Sequence, residues 1–174
     1  SISGKFPTLR IGTESEIATL ELTRAVSKLR FVVCRITEDN DTRKKLESIE
    51  KISLEAGQIP TSTYIMPRES YSFSKYNDEP VDFVSSSVDK EDIPAVADPS
   101  LYVYETQTAQ EYEGLIDEAI SGDYLKEFGP YYLRESDKQL TGTIQYKYTE
   151  DGTENTVDVE FSMAARGDFL RNHS

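Results

Sequence analysis

Two matched alternations near the C-terminal end constrain this chain more than anything else in it. From Gly142 to Thr149, Ile144, Tyr146 and Tyr148 fall on one face and Gln145 and Lys147 on the other. From Thr156 to Met163, Val157, Val159, Phe161 and Met163 fall together, with Asp158 and Glu160 opposite. A period of two is the mark of a strand with one covered face. Asp151-Gly152 lies between the two runs and supplies the residues a tight hairpin turn needs, since both central positions take positive φ. The segment is therefore read as a half-buried antiparallel hairpin, and its apolar face requires other structure to cover it.

A second segment carries a different pattern. In Ala25 to Ile36, AVSKLRFVVCRI, Leu29, Phe31 and Val33 share one face while Val32, Cys34 and Ile36 share the other. A strand apolar on both faces belongs in the middle of a sandwich or under a covering layer. Glu47 to Leu54 is also strand-like, but Ile49, Ile52 and Leu54 change face midway, which points to a bulge. Earlier, Leu9 with Ile11, and Ile17 with Leu20 and Leu22, read as short strands or an extended leader. Glu38 to Lys45 reads as a polar loop, and Ser85 to Asp92 as an exposed one. In the middle, Pro60, Pro67, Pro80, Pro94 and Pro99 separate short β-like pieces at Thr63–Met66, Val81–Val84 and Leu101–Tyr104. Such punctuation suits a sandwich rather than a helical bundle.

One helix interrupts this pattern over 108–128. Tyr112, Leu115, Ile116, Ala119 and Ile120 recur at three and four residues and are read as a core face. Thr106 or Thr108 can cap it, Glu111 sits in its first turn, and Gly122 breaks it, leaving a short second turn around Tyr124 to Phe128. No repeat of about 20–50 residues is visible.

Composition narrows the chemistry. The 174 residues hold 19 Lys plus Arg against 32 Asp plus Glu, a net charge of −13. Nucleic acid needs a basic face and is excluded as the main partner. A single Cys rules out an intrachain disulfide framework and a multi-Cys zinc site, and Cys34 within Val32-Val33-Cys34 reads as a small buried hydrophobe. The single His, His173, lies one residue from the end, so serine nucleophiles lack a base, and no G-x-S-x-G or phosphate-binding glycine motif occurs. Asp39 opens a superficial calcium-loop match that fails at its sixth position, where Lys44 replaces Gly. Glu105 with Glu111 or Asp117 imitates a glycosidase pair, yet nothing fixes their separation. The residues thus call for no catalytic group, no cofactor and no metal. The aromatic cluster Tyr71, Phe73 and Tyr76 in a Ser-rich stretch, and Tyr131-Tyr132, either form a contact surface able to stack on sugars or cover sheet edges.

Two short stretches carry a family resemblance. One is Leu22-Thr23-Arg24-Ala25-Val26-Ser27-Lys28-Leu29; the other is Asp168-Phe169-Leu170-Arg171-Asn172-His173-Ser174 after Val159-Glu160-Phe161-Ser162-Met163. Together they resemble the fimbrillin-like surface proteins of Bacteroidetes, which carry an R-A-V-[AS]-K strand opening a β-sandwich domain and an R-N-H-[ST]-aromatic start to the last strand. The resemblance covers about a third of the chain. It implies a transthyretin-like β-sandwich, export to the cell surface, and assembly by strand exchange. It also implies trimming at Arg24-Ala25 by an Arg-specific protease; Arg24 read alone is equally the solvent-facing start of a strand.

The resulting expectation is a mainly β chain, a transthyretin-like sandwich of antiparallel strands with one inserted helix. Residues 1–24 form a removable leader of extended strands, and residues 25–174 a single domain lacking its last strand. The chain does not open on Met and is read as a piece of something larger, its export signal removed. Asp168, Phe169, Leu170, Arg171, Asn172 and His173 mark the expected exchange edge. The expected role is a structural or adhesive subunit of a bacterial fimbria, partnered by other fimbrial subunits and by a host receptor or glycan. The alternative is a surface glycan-binding module using exposed Tyr residues.

Overall fold

A computed structural model describes residues 8–10, 15–16, 19–25, 28–36, 44–61, 73–98, 109–134, 136 and 138–162. The chain is mainly β. In order it forms β1 (Thr8–Arg10), β2 (Ser15–Glu16), β3 (Thr19–Ala25), β4 (Lys28–Ile36), β5 (Lys44–Leu54), β6 (Val81–Val84), β7 (Val88–Asp89), β8 (Ala95–Val96), the helix α1 (Ala109–Ser121), β9 (Lys126–Tyr132), β10 (Thr141–Glu150) and β11 (Thr153–Ser162). A 3-10 turn, Lys90–Asp92, lies between β7 and β8.

The first sheet is built on β4. Along one side β3 pairs antiparallel from Thr19↔Cys34 to Ala25↔Lys28, with β1 outside it. Along the other side β9 pairs antiparallel, and β8 pairs parallel at Arg35 and Ile36. The second sheet runs β11-β10-β5, with β2, β7 and β6 sharing the far side of β5.

The two-faced reading of β4 is met by covering layers on both sides. Leu29, Phe31 and Val33 join Leu46, Ile49, Ile52, Leu54, Ile144, Tyr146 and Phe161 in one cluster that draws on both sheets. Val32 and Cys34 on the opposite face are buried with Tyr112, Ile116 and Ala119 of α1. Phe31 is a hub: its ring centroid lies 5.3 Å from Phe83, 6.4 Å from Tyr131 and 5.8 Å from Phe161, the last edge-on. Tilted and edge-on pairs are the favoured geometries between aromatic quadrupoles.

The expected bulge in β5 is present twice. Leu46, Ile49, Ile52 and Leu54 stand opposite Tyr148, Tyr146, Ile144 and Gly142, which alternate by two. β5 keeps pace by extruding Glu47 and Glu50, so residues three apart reach the same face. The C-terminal hairpin forms as read, with ten paired residues from Thr141↔Ser162 to Glu150↔Thr153. Asp151 at φ 50 and Gly152 at φ 80 make the turn. Gly142 is required for close approach: a Cβ there would lie 2.2 Å from the Ser53 carbonyl oxygen and 2.5 Å from the Phe161 ring.

Several boundaries differ from the sequence reading. The strand expected from Ala25 is two strands, because Ala25 ends β3 and β4 opens at Lys28. Lys44 and Lys45 belong to β5 rather than to a loop, and the loop expected at Ser85–Asp92 contains β7 and the 3-10 turn. The short second turn expected around Tyr124 to Phe128 is not helical. The helix stops where Gly122 N–H bonds to Glu118 O and Tyr124 N–H to Ala119 O, with Asp123 at φ 62. That left-handed step closes the helix in the manner of a C-terminal cap and turns the chain into β9, which the ladder along β4 holds extended. The pieces at Thr63–Met66 and Leu101–Tyr104, the caps at Thr106 and Thr108, Glu105, and residues 37–43 lie outside the described residues.

Candidate functional site

A mainly β chain without a suggested reaction exposes its chemistry at the sheet edges, where backbone N–H and C=O groups lack ladder partners. Most edge strands here are short: β1, β2, β7 and β8 have three residues or fewer, and β6 has four. The longer ones are β9 and β11.

β9 is blunted. Gly129 and Pro130 together oppose the single residue Arg30, a bulge in mid-strand, and Pro130 offers no N–H. Gly129 takes φ 105, which its missing Cβ permits. β9 is also tied inward. The Tyr131 hydroxyl donates to Phe83 O at 3.0 Å, and burial raises its pKa. Arg30, itself only 7% exposed, donates from Nη1 to Asp117 Oδ1 of α1 at 2.7 Å and to Glu127 Oε2 of β9 at 3.0 Å. Burial alone would lower the Arg30 pKa, but the two carboxylates outweigh it and the net direction is up.

β11 is plain by contrast. It runs ten residues without Pro, Gly, Lys or a register shift. Among the described residues it pairs only with β10, so its outer side is an open ladder. Val157, Val159 and Phe161 turn toward the core, and Glu154, Thr156, Asp158, Glu160 and Ser162 are exposed. Gln145 Nε2 donates to Asp158 Oδ1 at 3.0 Å. Lys147 Nζ lies 3.2 Å from Glu50 Oε1 and 3.7 Å from Glu154 Oε1, tying β10 to both neighbours. The Ser87 hydroxyl, then Lys147 and Ser48, hold the Glu50 carboxyl below the usual range against the opposing effect of burial. Burial also opposes ionisation of Glu47, but Lys90 and Thr149 prevail and its pKa too is lowered.

At the Ser162 end of β11 the sheet edge opens into a cleft of about 430 Å³ lined by Glu55, Thr141, Gly142, Glu160, Phe161 and Ser162. Thr141 Oγ1 donates to Glu55 Oε2 at 3.0 Å, and Gln58, whose Oε1 accepts from Thr141 N–H at 2.9 Å, steadies the floor. Ser136 Oγ donates to Gln58 O at 2.6 Å behind it. Among the described residues no group of three His, Cys, Asp or Glu side chains is placed to hold a metal ion.

The sequence-stated sites fall as follows. Arg24 and Ala25 close β3, opposite Leu29 and Lys28 of β4. Asp168, Phe169, Leu170, Arg171, Asn172 and His173 lie outside the described residues, as does Tyr71. Phe73 and Tyr76 are half-buried; Tyr76 bridges Pro60, and Lys138 Nζ sits 3.7 Å from its ring centroid. Among the described residues the most exposed large aromatics are Tyr132 at 75% and Tyr124 at 56%. Cys34 is buried. The open edge of β11 and the cleft were not singled out from the sequence. The signal for the edge was the acidic face of the hairpin, Asp158 and Glu160; the signal for the cleft, Glu55 brought beside Glu160, has no local trace.

No family model, no curated protein and no solved structure matches this chain in comparisons with known proteins.

Proposed function

We propose that the chain is a structural subunit of a bacterial cell-surface fimbria that joins other subunits by edge-strand addition or strand exchange, its two sheets forming a transthyretin-like sandwich. The observation that carries this reading is β11, a ten-residue strand whose outer ladder is open among the described residues. Main-chain hydrogen bonds along such an edge supply affinity without catalytic groups, metals or cofactors. The position of Arg24-Ala25 at the end of β3 adds to it. Cleavage there separates β3 from the hairpin it makes with β4 and lets the six paired residues Thr19 to Arg24 leave as a strand. The vacated side belongs to β4, which is apolar on both faces and favours refilling by another chain.

The test is sedimentation velocity over a concentration series, before and after treatment with an Arg-specific protease, with amide hydrogen exchange read along the chain. The expected result is concentration-dependent assembly after trimming, with new protection in residues 153–162 or 28–36. A chain that is cut at Arg24 and stays monodisperse, with exchange unchanged in both strands, overturns the reading.

A further inference from the structure

The charge on the open edge selects what can pair with it. The exposed row of β11 is Glu154, Thr156, Asp158, Glu160 and Ser162, with no cation among them. In an antiparallel continuation of the sheet, side chains on the same face stand directly opposite at about 4.5–5.5 Å between Cβ atoms, where like charges repel. Two copies of β11 that lay their exposed rows on the same face cannot avoid this. Every such antiparallel register that keeps more than half of the strand paired sets at least one of Glu154, Asp158 and Glu160 opposite another acid. An incoming strand with Lys or Arg at alternate positions meets the same row with opposite charge.

The cleft at the end of the row adds a seat. Phe161 and Gly142 contribute apolar lining, and Glu55 and Glu160 are the acidic residues that line it. Among the described residues neither carboxylate is paired with a cation. That combination matches a long basic side chain, whose methylene stem lies on apolar surface while its charged head reaches acid.

We infer that the outer edge of β11 takes an extended basic strand from another subunit, seating one Lys or Arg of that strand in the cleft lined by Glu55 and Glu160, and rejects a second copy of β11 that would set its own acidic row on the same face. This rests on the strand-addition reading and names the partner's chemistry.

The test offers the whole chain two strand-length peptides, Val alternating with Lys and Thr or Val alternating with Glu and Thr. Affinity is read by fluorescence anisotropy at low and high salt, and the site by hydrogen exchange in residues 153–162. The basic peptide is expected to bind about tenfold or more tightly than the acidic one, to protect β11, and to lose its advantage at high salt. The Glu55→Gln/Glu160→Gln double variant is expected to lose most of that preference while its unfolding midpoint holds. Equal binding and equal protection by both peptides overturns the inference and leaves strand addition standing. Absence of β11 protection by either peptide overturns the inference together with strand addition at β11, and leaves only exchange at β4 to the protease experiment.

Discussion

Along β4 the outer strand β9 carries Gly129 and Pro130 at its centre, and its partner Arg30 is locked to Glu127 and to the helix. Along β10 the outer strand β11 carries neither residue, no bulge and no buried ion pair. Both strands donate rings or branched side chains to the shared core beneath Phe31. The difference is confined to what faces outward. One edge is blunted against a neighbouring chain by proline and a bulge, and the other, among the described residues, is guarded only by the sign of its charge. Proline hinders every incoming strand; acidic side chains exclude some and admit others.

Five substitutions test this contrast. Gly142→Ala acts on the β11 side, where the new Cβ meets the Ser53 backbone and the Phe161 ring. It is expected to lower the unfolding free energy by about 3 kcal/mol, since backbone must shift to admit it. Hydrogen exchange is expected to accelerate in β10 and β11 and to change little in β9. Uniform acceleration breaks the contrast. Arg30→Ala acts on the β9 side, where it leaves the half-buried Glu127 without its cation. A loss of about 2–3 kcal/mol is expected in urea unfolding, against less than about 1 kcal/mol for Asp117→Asn, because Asp117 is 65% exposed. Equal losses from the two variants show that Arg30 does not anchor β9.

A fourth variant separates the sides by pH. The folded-state pKa of Glu50 is lowered, so its stabilisation is present above the ordinary value of about 4.5 and is lost as pH falls through the lowered value. Wild type is expected to exceed Glu50→Gln at pH 7 by less than about 1 kcal/mol, a difference that narrows as pH falls below about 4.5. A constant difference across urea midpoints above and below that pH assigns the effect to packing instead. The smallest effect belongs to Tyr132→Ser. This exposed β9 side chain is expected to alter stability by no more than about 0.5 kcal/mol and assembly not at all. A loss of assembly in sedimentation moves the contact surface from β11 to β9.

Local periodicity carried most of what the sequence revealed. The C-terminal hairpin, the two faces of β4 and the apolar stripe of α1 each repeat within a dozen residues, and the structure reproduces them. The change of face among Ile49, Ile52 and Leu54 announced a bulge, though not that there were two or that Glu47 and Glu50 were the extruded residues. β9 escaped because Lys126–Tyr132 has no alternation and holds Gly-Pro, a pattern that reads as a break; only pairing with β4 makes it a strand. The open edge escaped for a different reason. The acids of β11 were visible, but whether a strand is central or outermost depends on partners distant in the chain. Glu55 and Glu160 likewise share a cleft only because β5 and β11 flank β10.

The two extruded glutamates of β5 give that strand a tolerance its neighbours lack. Loss of a single residue inside β10 or β11 turns every following side chain to the wrong face. Loss of Glu47 or of Glu50 leaves Leu46, Ile49, Ile52 and Leu54 on the face they already hold and makes the ladder more regular. The central strand of the second sheet can thus be shortened by one codon at either place without a frameshift of its core, and a hereditary record of this fold is expected to vary in length there first.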